Sequence, residues 1–219
     1  MKILVVGDSC KDVFIYGDIT RLTPEAPVPV FNPLRKTEND GMARNVSNNV
    51  EALNVGIYTI TNPNSIKKIR YVDHKSNQLV LRVDEHDYCD RMDNMVLSTI
   101  QNNKCHVFVD TKKQLGSWIE NADFIKINEL EYENNEEFLN EYYGIMDKTI
   151  VTKGNKGCLY KDKIYPTEDV PVKDISGAGD TFLAGLVVQY LKTNNMTAAI
   201  EFAQKCTKSV VQKHGVSTI

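Results

Sequence analysis

No stretch of this chain approaches the roughly 20 consecutive apolar residues that a membrane-spanning helix requires. The apolar run in its opening "MKILVV" is also shorter than the roughly 7–15 residues of a secretory leader. Both absences point to the cytoplasm. Cysteine is sparse and odd in number: Cys10, Cys89, Cys105, Cys158 and Cys206 are widely spaced, with no C-x-x-C pair and no histidine at zinc-finger distance. That argues against a disulfide framework and a zinc site, and the five read as free thiols in a reducing compartment. His86 and Cys89, with the acids around them, follow no ligand spacing. An excess of one charge is missing as well, since 26 Lys and Arg face 29 Asp and Glu for a net charge of −3. No overall field gathers nucleic acid. Neither an internal repeat nor a low-complexity linker divides the 219 residues, of which 42% are hydrophobic and 25% charged. The expectation is one domain, residues 1–219, around one core.

What is present is an alternation of short apolar runs with helical patterns. "KILVVGD" reads as a strand buried on both faces that ends in a functional loop. Runs at 56–61, 105–110, 122–128 and 148–154 repeat the pattern. Between them Ala43, Val46, Val50 and Leu53 recur at helical spacing, as do Met92, Val96 and Ile100, and Phe138 with Tyr142. Two helices, 180–192 and 196–213, close the chain. Strands alternating with helices predict a mainly parallel sheet covered on both faces. The proline-rich "APVPVFNPL" (26–34) and the alternating "KKIRYVDHKSNQLVLRVDE" (67–85) predict a small separate sheet with one wet face.

The junction "ISGAGDTFLAGL" (175–186) sets Gly177, Ala178 and Gly179 directly before a helix, with Asp180 at its first position. A helix starts with unpaired N–H groups and partial positive charge, so small residues there let an anion approach. Asp180 is then either a capping acid or a base that takes a hydroxyl proton while the amides hold a phosphate.

"DISGAGDTF" (174–182) resembles the C-terminal signature of the ribokinase-like (PfkB) carbohydrate kinases, Asp-Thr-Thr-Gly-Ala-Gly-Asp, with Ile175 and Ser176 in the variable places. The resemblance implies a three-layer α/β/α sandwich with a small β-strand lid, its strands at about 15–37 and 66–86. It implies Asp180 as catalytic base, residues 177–179 as anion hole, and ATP with Mg²⁺ and a monovalent cation as companions. "KINELE" (126–131) carries the family's Asn-x-x-Glu as Asn128 and Glu131, which implies a place near the metal; an acidic helix start is the alternative. "VTKGNKG" (151–157) matches a segment that borders the nucleotide, which implies Thr152, Lys153, Gly154 and Gly157 as nucleotide residues, with a plain turn as the alternative for Gly157.

The N-terminal half is similar to the bacterial heptose-7-phosphate kinases of ADP-heptose synthesis. "RLTPEAPVPV" (21–30) differs from their pattern only by a conservative Thr23. Asp8 and Asp12, placed at the end of the first strand, suit a polyol, since each carboxylate can accept from sugar hydroxyls. The alternative for Asp8 is a turn cap. "DGMARNV" (40–46) keeps Gly41 and Asn45 of the family's sugar-binding segment but has Met42 for its second glycine, which narrows the pocket. Arg82 in "NQLVLRVDE" faces either the substrate's existing phosphate or Asp84, and Lys112 in "VDTK" either that phosphate or solvent.

Relative to those kinases two internal segments are missing, one after "GIYTIT" and one between "LSTIQNN" and "CHVFVD". Lost core elements leave apolar surface to cover, and a homodimer through the lid is expected to cover it. No His-x-Gly-His is present, so the fused nucleotidyltransferase of some relatives is not expected. The leading reading is an ATP-dependent kinase for a sugar or sugar phosphate. The alternatives are a non-catalytic nucleotide or sugar-phosphate binder on the same fold, or a family kinase for another sugar.

Overall fold

The computed structural model describes residues 2–89, 105–213 and 215–219. The helical pattern of Met92, Val96 and Ile100 lies outside these residues. In chain order the elements are β1 (Lys2–Val6), β2 (Ser9–Leu22), β3 (Pro29–Met42), α1 (Ala43–Ala52), β4 (Gly56–Ile60), β5 (Ile66–Asp73) and β6 (Leu79–Glu85). Then follow β7 (Phe108–Asp110), β8 (Phe124–Asn128), α2 (Glu129–Glu133), α3 (Glu136–Glu141), β9 (Thr149–Thr152), β10 (Cys158–Tyr160), β11 (Lys163–Tyr165), α4 (Ala178–Thr193) and α5 (Met196–Val211).

The central sheet has the order β11-β10-β9-β8-β7, with β7, β8 and β9 parallel and the last two strands joined as an antiparallel hairpin. Alternation along β8 sends Ile125 and Ile127 to a core with Leu115, Ile119 and Leu139. Phe124 packs on the opposite side, where α4 and α5 supply Phe182, Leu186 and Ile200. Three layers result, because each face of the parallel strands is apolar and needs a cover.

The expected single sheet is interrupted. Among the described residues β1 hydrogen-bonds only to β4, in parallel, and no ladder joins this pair to β7. Side chains make the joint instead: Ala184, Val187 and Val188 of α4 pack on Ile3, Val46 and Val50, and Phe108 touches both clusters. The first strand is therefore not buried on both faces as its apolar run predicts. Ile3 is buried, but Leu4, Tyr58 and Ile60 remain exposed, since no described element lies over that side.

The second sheet, order β3-β2-β5-β6, bears out the separate layer that the prolines and alternation predict. Pro29 and Pro33 lie on β3, an edge strand, where a missing N–H costs no ladder bond. β2 and β3 are longer than expected and reach from the sheet's tip down to α1, so one hairpin links this layer to the core. No helix among the described residues is long and apolar enough to cross a membrane.

Candidate active site

Helix α4 begins two residues earlier than its sequence pattern suggests. Gly177 precedes it with φ +78°, and Asp180 is the third helical residue rather than the first. No side chain caps this helix end, which removes the capping role for Asp180. The carboxylate turns to α1, where Asn45 Nδ2 donates to Oδ2 at 2.9 Å. A Cβ on Gly177 would come within 2.6 Å of that same Nδ2, so glycine is what the approach of the two helices demands. Of the three expected anion-hole residues, Ala178 already donates its N–H to the Ile175 carbonyl at 3.1 Å. The N–H groups of Gly177, Gly179 and Asp180 have no such partner among the described residues.

Asp180 keeps some contact with solvent, so a hydroxyl can reach it, yet the protein removes most of its hydration. Burial pushes its pKa up to about 6, and the negative charges of Asp110 and Asp12 push the same way; the Asn45 hydrogen bond and Lys126 oppose them. A carboxyl near 6 is mostly ionised at neutral pH and matched to a general base.

Asn45 is itself fixed by a buried polar chain. Asn49 donates to its backbone and side-chain oxygens, while Thr181 Oγ1 and the N–H of Ile219 donate to Asn49 Oδ1. A cleft of about 370 Å³ opens beside Asn45, lined by polar residues including Asn39, Asp40, Asn48, Lys213 and Ser217. Its polar walls suit a ligand rich in hydroxyls.

Asp12 does not stand at the end of the first strand, as its sequence position suggests. It lies on β2, buried, with Arg70 of β5 paired to its Oδ1. The correction follows from β2 starting at Ser9, directly after the Gly7-Asp8 turn. Gly41 lies against this carboxylate so closely that a Cβ there would overlap Asp12 Oδ2. Met42 holds φ +59° and ψ −133°, backbone space that glycine occupies freely and other residues rarely do. It therefore keeps the backbone path that a glycine would take there. Asp8 is exposed, and its carbonyl accepts from the N–H of Ala43 at 3.0 Å.

Facing α4, the register of β7 and β8 brings Asp110, the last residue of β7, beside Lys126 in the middle of β8, Nζ to Oδ2 2.7 Å. Asn128 and Glu131 form a capping box on α2: Asn128 Oδ1 accepts from the N–H of Glu131, and Glu131 Oε2 accepts from the N–H of Asn128. Glu131 Oε1 remains without a hydrogen bond among the described residues, and Glu131 lines a cleft of about 320 Å³ with Lys112, Gln114, Asn134 and Asn135. No group of three or more His, Cys, Asp or Glu converges among the described residues. The donor set thus fits a hydrated cation touched through water, not a chelated one.

Thr152 ends β9 and donates to the Ile127 carbonyl at 3.2 Å. Lys153 pairs with Glu129 at 3.8 Å, Gly154 opens a short 3₁₀ turn, and Gly157 packs its backbone on the Tyr165 carbonyl, which gives that glycine a role in the hairpin. Arg82 lies on β6, away from this edge, and forms a two-pronged pair with Asp84 at 2.7 and 2.9 Å. The register of β5 and β6 sets Arg70 directly across from it. Arg82 and Lys112, both read as phosphate-facing, thus belong to different layers.

Lys126, Asp110 and Arg70 went unread in the sequence. The signal for Lys126 was a single charge inside the apolar run "ADFIKIN", where a strand buried on both faces has no ordinary use for one.

A profile of the pfkB family carbohydrate kinases matches residues 43–219. Among curated proteins, the "Bifunctional protein HldE" of Helicobacter pylori is 26% identical over 293 positions covering 98% of this chain, and that of Nitratiruptor is 28% identical over 292 positions covering 99%. The chain spans 63% of the length of these relatives. The alignments are longer than the 219 residues of this chain, so the relatives carry internal segments without a counterpart in it. Among solved structures, Thermotoga maritima ribokinase superposes with a TM-score of 0.70 at 18% identity, covering 97% of this chain and 93% of its own. Arabidopsis thaliana ribokinase, solved with ribose and ATP, gives 0.69 at 12% identity, covering 97% and 93%. At these identities the structures establish the ribokinase-like fold.

Proposed function

The chain belongs to the pfkB family of carbohydrate kinases, and on that premise we propose that it transfers the terminal phosphoryl group of ATP to a hydroxyl of a sugar phosphate of the heptose-7-phosphate type. The observation that carries this reading is the Asp180 carboxylate, tied to Asn45, in the same opening turn of α4 as the open amides of Gly177 and Gly179. In the transfer, Asp180 takes the hydroxyl proton and the substrate oxygen bonds to phosphorus. The bond from phosphorus to the oxygen bridging the last two phosphates breaks, and its electron pair leaves with ADP. The amides of Gly177 and Gly179 hold the oxygens of the moving group. Asn128 and Glu131 would hold Mg²⁺ through water, and the ion when bound would neutralise phosphate charge. Asp12, Gly41 and Asn45 line the sugar side, with Asp8 at its rim, and Thr152, Lys153 and Gly154 the nucleotide side.

The heptose-phosphate preference is supported by the motif at residues 21–30, by the HldE relatives, and by the two arginines facing one another on β5 and β6. Arg82 recruits the existing phosphate by exchanging Asp84 for it; Lys112, expected to meet that same phosphate, lines a cleft with Glu131, which supports assigning it instead to the phosphates near the metal. The four-stranded sheet would act as lid, and its exposed Leu79, Leu81 and Val83 support a homodimer across it. ATP use and the buried thiols Cys10, Cys158 and Cys206 support a cytoplasmic setting.

The test is ADP release over a panel of sugars and sugar phosphates, with Asp180→Asn as control. Turnover is expected on a phosphorylated heptose, and Arg82→Ala should raise KM for that substrate while sparing an unphosphorylated analogue. ATP binding without turnover on any substrate would instead identify a binding protein that shares the fold.

A further inference from the structure

Lys126 occupies a costly position. It lies in the middle of β8, its side chain is only 8% exposed, and strand alternation directs it to the α4 side with Phe124. A Cβ on Gly179 would lie 3.1 Å from Nζ, so the ammonium abuts the first turn of α4. Burial penalises a cation, and the amino end of a helix, already positive, penalises it again. Asp110 Oδ2 at 2.7 Å offsets part of this, but one partly solvated carboxylate seldom repays the whole cost of burying its cation. Two positive features therefore converge beside Asp180, on the face where amides of Gly177 and Gly179 are open.

We propose that Lys126 is a catalytic residue whose ammonium donates to a non-bridging oxygen of the phosphoryl group as it passes from the nucleotide to the substrate hydroxyl, with Asp110 as the residue that positions it. The inference rests on the kinase reading above. A preorganised donor aimed at developing charge costs no rearrangement during the reaction, which is why a fold retains one despite its expense. Asp110 holds Nζ in place until the phosphate arrives and keeps one of its three protons engaged, leaving others for the phosphoryl oxygen.

The experiment measures turnover, and the binding of ATP, ADP and ADP with aluminium fluoride, a planar mimic of the moving group. Lys126→Met is compared with wild type and with Lys126→Met/Asp110→Asn, which removes both charges and so avoids leaving the Asp110 carboxylate beside the helix without its partner. Both variants should lose about 10²–10³-fold in kcat, the range for one lost oxyanion donor, with KM for the sugar unchanged. Affinity for the aluminium fluoride complex should fall by at least about tenfold, and that for ADP should not. Lys126→Arg should restore part of both. Wild-type affinity for the mimic in the folded double variant overturns the assignment, even if no sugar substrate has been found. A wild-type chain that binds no nucleotide at all overturns the kinase reading, and this one with it.

Discussion

Asn45 Nδ2 donates to Asp180 Oδ2 at 2.9 Å, a bond between the first turns of two helices whose residues lie 135 positions apart. It couples the segment proposed to bind sugar to the proposed base, and it opposes the burial that raises the Asp180 pKa to about 6. Removing the amide with Asn45→Ala should raise that pKa further. The acid limb of kcat/KM should then move to higher pH, with part of the lost rate recovered above pH 8. Gly177→Ala should act in the same direction, because its Cβ would displace Nδ2. An unshifted limb in both variants would show that the bond does not tune the base.

Asp180 also sets a stability cost. Its folded pKa of about 6 lies above the ordinary 3.8, so between these values the native state holds more protons than the unfolded chain. Stability contributed by this group is present below about pH 4, declines as pH rises to about 6 and is flat beyond. A rise of that size corresponds to about 3 kcal/mol. Asp180→Asn should therefore abolish turnover and stabilise the fold at pH 7, by as much as that amount, with the gain vanishing near pH 4. Urea unfolding at the two pH values measures it; equal gains at both would contradict the assigned shift.

Met42 stands at φ +59° and ψ −133°, a conformation that costs a non-glycine residue about 1–3 kcal/mol. Met42→Gly should raise stability by about 1 kcal/mol, after the entropy that glycine adds to the unfolded chain. Met42→Ala retains the strain and should not stabilise. Denaturant midpoints that rank the two variants alike would remove the strain argument.

The outer strand β6 exposes Leu79, Leu81 and Val83 along an edge that no other described strand pairs with, surface of the kind that a second chain covers. Sedimentation should find a dimer at micromolar concentration, and Leu81→Glu should shift it to monomer while leaving the fold's melting cooperative. A monomeric wild type would remove the lid-mediated dimer.

The local signals were legible because their causes are local. Small residues before an apolar helix, an acidic helix start after Asn128, and prolines on an alternating strand each follow from backbone chemistry within a few residues. The helix pair at the end of the chain and the small separate sheet both followed from such patterns. Asp12 was singled out but misplaced, since nothing in "GDSCKD" tells where β1 ends and β2 begins.

Sequence alone determined which residue types stand before α4, which strands are apolar, and that a carboxylate follows the small-residue turn. Only the assembled fold decided that Asp180 meets Asn45 rather than capping its own helix, that Arg70 holds Asp12, and that Lys126 and Asp110 share a register beside Gly179. These depend on the loss of water around a group and on charges brought in from other strands and helices. Both are properties of packed neighbours, and no residue carries them along the chain.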